Sequence, residues 1–203
     1  MDLPFWETAY KEENTFPFGT QPNQGLVEYE SMYKKSWNVL DIGCGDGKNA
    51  LYLALKGFSN VDAFDLSENG IEKLHTLAEK DDLRINAWVQ DLRHFSFGKQ
   101  YDLIYSFGTL HFAEKTEWKS LLEKAKENTS VGGIHVIHIF TNTLPASPDI
   151  APYAAGLADE GEIRLLYKEW DVLQFKSYTF EDEHPGAPKH SHAVNQLIAQ
   201  RTK

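Results

Sequence analysis

Cysteine is almost missing from this sequence: Cys44 is the only one in 203 residues. One thiol makes no internal disulfide and no zinc cluster of several thiolates. That suits a reducing compartment, and the chain is expected to be cytoplasmic. Long apolar runs are missing too. The longest, Ile134 to Phe140, is broken by His135 and His138, far short of the ~20 residues a membrane-spanning helix needs. The first residues, Met-Asp-Leu-Pro-Phe-Trp-Glu, lack the basic start and apolar stretch of a signal peptide. No basic patch is present either. The 20 Lys and Arg are scattered among 30 Asp and Glu, for a net charge of −10. An acidic body repels phosphate backbones, so no nucleic-acid partner is expected. Repeats and low-complexity tracts are absent. At 41% apolar residues the chain can bury a core, and residues 1–203 are expected to form one domain.

What is there is an alternation of strand and helix, which argues for an α/β fold with a mostly parallel sheet covered on both faces. Trp37–Ile42 reads as the first strand, and Asn49–Lys56 as a helix ended by Gly57. Val61–Phe64 reads as the second strand. Ser67 caps the next helix, whose Ile71, Leu74 and Ala78 form one apolar stripe. Ile85–Val89 and Tyr101–Phe107 are the third and fourth strands. Trp118, Leu121, Leu122 and Ala125 mark another helix, and Gly132-Gly133 turns the chain into a fifth strand, Ile134–Phe140. Thr141–Gly156 is a proline-bearing loop, long enough to suggest function. Asp159 and Glu162, at capping-box spacing, open a short helix. Val172–Phe180 and Ala193–Ala199 are two final strands, paired antiparallel through the Pro- and His-rich turn 183–192.

The chemistry concentrates in Asp41-Ile42-Gly43-Cys44-Gly45-Asp46-Gly47, between the first strand and the first helix of the core. Alternate glycines permit a tight turn and close approach of a ligand to backbone, near a helix N-terminus. The dinucleotide pattern G-x-G-x-x-G fails, since Lys48 stands where the last glycine belongs, and the Walker pattern is absent. The opening Asp41 suits an ammonium group better than a pyrophosphate. Asp65 ends the second strand about 20 residues on, where a carboxylate can accept from ribose hydroxyls. Gln90-Asp91-Leu92 follows the third strand, with a carboxylate placed for an adenine amino group. Ser106-Phe107-Gly108-Thr109 ends the fourth. Four acidic or small groups at four strand tips describe one crevice for an adenosine with a cationic tail.

From Trp37 to Phe140 this arrangement resembles the class I S-adenosylmethionine-dependent methyltransferases. More narrowly, it is similar to the tellurite-resistance (TehB-like) group, on the stretches Asp46–Ala54, Val61–Asp65, Glu160–Arg164 and Tyr167–Trp170. The resemblance implies a Rossmann-like three-layer sandwich, with a seven-stranded sheet whose last strand is antiparallel. It implies S-adenosyl-L-methionine as cofactor and S-adenosyl-L-homocysteine as product. The residues expected to hold the cofactor are Asp41, Gly43, Cys44, Gly45, Gly47, Asn49, Asp65, Leu66, Gln90, Asp91, Leu92 and Ser106. Residues 1–36 would form a helical lid over the cofactor core 37–140, with 141–203 completing the acceptor side. Tyr10, Phe16, Phe18 and His184 are expected at the substrate. The sequence departs from the TehB-like group where Pro185 follows His184 and the nearest base is Lys189.

His111, just past the fourth strand, is the candidate catalytic base beside a reading as a buried core histidine. His135 and His138 point to opposite faces of one strand and read as packing. His184, His190 and His192 read as a solvated turn, because no fixed acidic or thiol ligand is legible nearby, so no metal is expected. Cys44 fills a gap beneath the ligand. The expected activity is methyl transfer to a small acceptor, a metalloid oxyanion or a thiol among the options. Two alternatives stand beside it: a non-catalytic cofactor-binding module and a nicotinamide-dependent oxidoreductase. Oligomeric state is not legible.

Overall fold

The computed structural model describes residues 3–184 and 187–203. In chain order the elements are α1 (Phe5–Tyr10), α2 (Gln24–Val27), β1 (Asn38–Ile42), α3 (Lys48–Leu55), β2 (Asn60–Asp65), α4 (Glu68–Lys80), β3 (Asn86–Val89), β4 (Tyr101–Phe107), α5 (Lys115–Glu127), β5 (Thr129–Phe140), α6 (Glu162–Leu166), β6 (Asp171–His184) and β7 (Ala187–Gln200). They build one seven-stranded sheet in the order β3-β2-β1-β4-β5-β7-β6. The first five strands run parallel, while β7 is antiparallel to both of its neighbours.

Side chains alternate across a strand, so each strand contributes to two cores. Leu40, Ile42, Ile104, Ile137 and Ile139 face Trp118, Leu122 and Ala125 of α5 and Ile163 of α6. Val39, Ala63, Leu103, Tyr105 and Val136 face Leu26 of α2, Leu53 of α3 and Leu74 of α4. This is the expected three-layer sandwich. The Ser67 hydroxyl accepts from the Gly70 amide at 3.0 Å and caps α4 as the sequence predicts. His135 is buried, bridging Thr129 Oγ1 at 2.7 Å and the Tyr167 hydroxyl at 2.6 Å, which is the packing role read for it.

Three expectations need correction. Gly132-Gly133 does not start β5: the strand runs through it from Thr129, with an irregular register opposite Tyr101 and Leu103. Gly132 takes a positive φ of 85° there, which a glycine allows inside a bulge. The segment 183–192 is mostly strand, with β6 and β7 paired as far as His184 and Ala187. The short helix is preceded by Gly161 in the left-handed conformation, and only Glu162 reaches back, accepting the Asp159 amide at 2.8 Å.

Candidate functional site

The carboxyl ends of β1, β2, β3 and β4 open on a cavity of about 1530 Å³. Single-ligand pockets hold roughly 300–1,000 Å³, so this one has room for a nucleoside cofactor and an acceptor together.

One half is built on the glycine loop. Gly43, Gly45 and Gly47 all have positive φ. A side chain at Gly43 would meet Thr109 at 2.1 Å, and one at Gly45 the Tyr10 hydroxyl at 2.4 Å. Asp65 fastens the loop: its Oδ2 accepts from the Gly45 amide at 2.8 Å and its Oδ1 from the Ser67 amide at 2.9 Å. The carboxylate still lines the cavity, with lone pairs left for a ligand's hydroxyls. Burial raises its pKa, and the backbone donors at Ser67 and Gly45 oppose that. Asn49 and Asn23 exchange two bonds, Asn23 N to Asn49 Oδ1 at 2.9 Å and Asn49 Nδ2 to Asn23 Oδ1 at 3.0 Å, tying α2 to α3. Gly43, Cys44, Gly45, Asn49, Asp65, Leu66, Gln90, Asp91 and Leu92 all lie on the cavity wall. Burial, with Asp41 and Asp65 nearby, pushes the Cys44 thiol up, which keeps it protonated and unreactive.

Several expected residues do not reach the wall. Asp41 points sideways toward Tyr105, because its alternation along β1 puts it on the α3 and α4 face. Burial raises its carboxyl well above the usual range. Gly47 caps α3, and the space where its side chain would go is filled by Leu74, 2.2 Å away. The Ser106 hydroxyl donates to the Ile42 carbonyl at 2.9 Å and ties β4 to β1; the wall at that tip is Phe107, Gly108 and Thr109. Asp91 is on the wall but is not free, since Arg93 Nε lies 2.9 Å from both of its oxygens. Phe16 lies under Lys73, whose ammonium is 4.3 Å from its ring. Tyr10, expected at the acceptor, instead sits over Gly45 in the cofactor half.

Of the two readings of His111, the structure places it in the second, as a buried histidine. It sits in the turn Leu110–Phe112 and is fully buried. Its ring stacks on Phe140 at 4.5 Å and 17°, turned into the core while its neighbour Phe112 takes the cavity position. Neither ring nitrogen has a hydrogen-bond partner among the described residues. Burial lowers its pKa from 6.5 to about 3, so the imidazole is neutral. Its folded pKa is below its unfolded one, so the unfolded chain binds the extra proton as pH falls. His111 therefore costs stability progressively from about pH 6.5 down toward 3, by at most about 1.4 kcal/mol per unit. We expect His111→Phe to keep turnover, to hold or raise the melting temperature at pH 7, and to soften acid unfolding across that window. A turnover loss of ~10²-fold or more would restore His111 as the base.

The other half of the cavity is aromatic. Trp6 of α1 stands 5.4 Å from Phe112, 5.6 Å from Tyr153 and 6.3 Å from Phe18. Phe140, Phe180 and His138 continue the wall. His138, a packing residue in the sequence reading, also borders this half, its Nδ1 buried and without a hydrogen-bond partner among the described residues. Burial lowers its pKa to about 4. His184 lines the cavity, stacked on Phe5 at 4.6 Å. Sequence reasoning missed Phe112, Phe140 and Phe180, because a core strand and a cavity wall use the same residue types. The cations on the wall are engaged: Lys48 donates to the Phe18 carbonyl at 2.8 Å, Arg93 holds Asp91, and Lys176 is 3.3 Å from Glu28. Lys189, the base nearest His184 in sequence, is paired with Glu181 at 2.8 Å on the surface. No helix among the described residues is long and apolar enough to cross a membrane.

Comparison with known proteins places this geometry. Residues 21–184 match the family described as tellurite resistance protein TehB. The probable S-adenosyl-L-methionine-dependent methyltransferase TehB of Haemophilus influenzae is 34% identical over 167 residues, which are 81% of this chain and 57% of that protein. A ubiquinone biosynthesis O-methyltransferase of Rickettsia typhi is 32% identical over 110 residues, covering 53% of this chain and 43% of the other. The crystal structure of TehB from Haemophilus influenzae superposes with a TM-score of 0.78 at 26% identity, covering 89% of this chain and 62% of that one. The chain thus spans about half the length of the curated relatives it matches. On the match to 21–184 and the shared fold, the chain belongs to the tellurite resistance protein TehB family.

Proposed function

We propose that the chain is a methyltransferase that uses S-adenosyl-L-methionine on a small acceptor with an apolar body. The observation that carries this is one cavity with two unlike halves: a glycine loop ringed by Asp65, Gln90 and Leu92, and an aromatic box of Trp6, Phe18, Phe112 and Phe140. The first half fits an adenosine with a cationic tail. Asp65 would take the ribose hydroxyls, Leu66 and Leu92 would flank the base, and the backbone of Gly43–Gly45 would lie against the tail. Glu7 and Asp65 on the wall favour a positive charge there. Bound in that half, S-adenosyl-L-methionine supplies a methyl group already activated on a sulfonium.

The protein's work is then positioning and exclusion of water, which together can lower a barrier by roughly 7–11 kcal/mol. The rings of Trp6, Phe18 and Phe112 close the acceptor half and offer faces that attract a sulfonium. His138 lines this half as a neutral ring, adding to its apolar, uncharged wall. With every wall cation engaged, the residues give little welcome to a free anion, which favours a thiol, amine or phenol over a metalloid oxyanion.

Turnover tests the proposal. Purified protein with S-adenosyl-L-methionine and a panel of thiols, amines, phenols and metalloid oxyanions should release S-adenosyl-L-homocysteine with at least one apolar-bodied acceptor. Binding of the cofactor with no turnover on any member would instead support the non-catalytic module. Oxidation of NADH would support the oxidoreductase.

A further inference from the structure

Beside the acceptor half, the long loop 141–156 and the far end of the β6–β7 hairpin bring together Asp149, His184, His190 and His192. Ligating atoms of the four lie within 4.8 Å of one another. The sequence reading of a solvated turn fails here. The side chains of His184, His190, His192 and Asp149 are 5%, 6%, 2% and 2% exposed, and the missing acidic partner is Asp149, supplied by a loop more than thirty residues away.

The hydrogen bonds fix which atoms face inward. His190 Nδ1 is 2.7 Å from the Pro188 carbonyl, which only accepts, so that nitrogen carries the proton and Nε2 carries a lone pair. Ser147 donates its hydroxyl to Asp149 at 2.5 Å, so its oxygen is left to accept from His192 Nδ1 at 3.2 Å. His192 Nε2 therefore also carries a lone pair. With both rings neutral these two bare nitrogens face each other at 3.0 Å, a repulsion that a shared proton or a cation between them relieves, and the further ligands Asp149 and His184 within reach favour the cation. Asp149 closes on the same point: Oδ1 is 3.3 Å from His190 Nε2, and Oδ2 is 3.7 Å from both His192 Nε2 and His184 Nε2. A tetrahedral ion with bonds of about 2.0–2.1 Å has ligand-to-ligand edges of about 3.3–3.4 Å. The His190–His192 edge and the three Asp149 contacts, 3.0–3.7 Å, bracket that value, and the whole set lies within 4.8 Å, so a bound ion would draw His184 inward to close the tetrahedron.

We propose that Asp149, His184, His190 and His192 form a binding site for a divalent transition ion of the zinc class. Three imidazoles and one carboxylate are a borderline-soft set that suits such an ion over calcium or magnesium. Pro188 and Ser147 orient two of the ligands by their outer nitrogens, as the second shell of a metal site does. Four protein ligands make a closed site, so its role is to clip the 141–156 loop to the hairpin. His184 and His192 also line the cavity, so the clip holds one wall of the acceptor half. The inference rests on the proposed function only in naming that half.

The test uses the full chain without an affinity tag, stripped with chelator. Zinc titrated calorimetrically should bind at one equivalent, and cobalt should give the visible absorption of a tetrahedral centre. His190→Ala/His192→Ala should lose both signals. Ser147→Ala should weaken zinc by ~10–100-fold while leaving the ligands in place. Asp149→Asn, gentler on folding, should also weaken zinc and shift the cobalt spectrum. Wild-type protein that binds no more zinc than the double variant overturns the site. S-adenosyl-L-homocysteine binding, measured on the same metal-free samples, reports separately on the cofactor half. Its failure would count against the methyl-transfer reading and not against the metal.

Discussion

Replacing Asp65 with alanine is expected to weaken S-adenosyl-L-homocysteine binding by at least tenfold. Two effects add. In the proposed binding mode the carboxylate accepts from the ribose hydroxyls, and a hydrogen bond to a charged group contributes about 1.5–3 kcal/mol, tenfold or more in affinity. The same carboxylate holds the Gly45 and Ser67 amides at 2.8 and 2.9 Å, so its loss frees the turn that shapes the cavity. Calorimetry on wild type, Asp65→Ala and Asp65→Asn separates the two. Asparagine keeps one oxygen acceptor and nearly the same shape, so it should fall between the others. Equal affinity in all three would show that neither the ribose contact nor the brace on the loop contributes to binding.

The second large effect is on stability. Trp118 of α5 is fully buried in the core facing that helix, and its indole N–H donates to the Gly156 carbonyl at 2.8 Å. Gly156 ends the long loop and has no room for a side chain, since one would come within 2.2 Å of the Ala113 carbonyl oxygen. Trp118→Ala should cost about 3–5 kcal/mol, and it leaves that carbonyl without its donor. For a chain of this size the melting temperature should drop by about 6–20 °C. Trp118→Phe keeps most of the volume and loses only the donor, so it should cost about 1–3 kcal/mol. If alanine and phenylalanine cost the same, the hydrogen bond rather than the packing fixes the loop.

Most of the scaffold is legible because most elements announce themselves locally. β4 occupies Tyr101–Phe107, the run of apolar and aromatic residues that marks it, and Ser67 caps α4 as its position suggests. The places at which reading stopped have a common physical cause. A strand-tip residue can point along the crevice or across the sheet, and sequence does not tell which. Asp41 and Ser106 point across, into neighbouring strands, while Asp65 points out. His111 turns inward while Phe112 beside it turns outward, both in the turn Leu110–Phe112 that follows β4. The Asp149–His cluster was illegible for a different reason. Its ligands come from a loop and from a hairpin whose strands continue past the polar residues that looked like a turn.

The most direct test of the central claim is a calorimetric titration of wild-type protein with S-adenosyl-L-homocysteine. The account predicts one site with micromolar-range affinity, lost at least tenfold in Asp65→Ala. No measurable heat of binding, with the protein folded by circular dichroism, would contradict it.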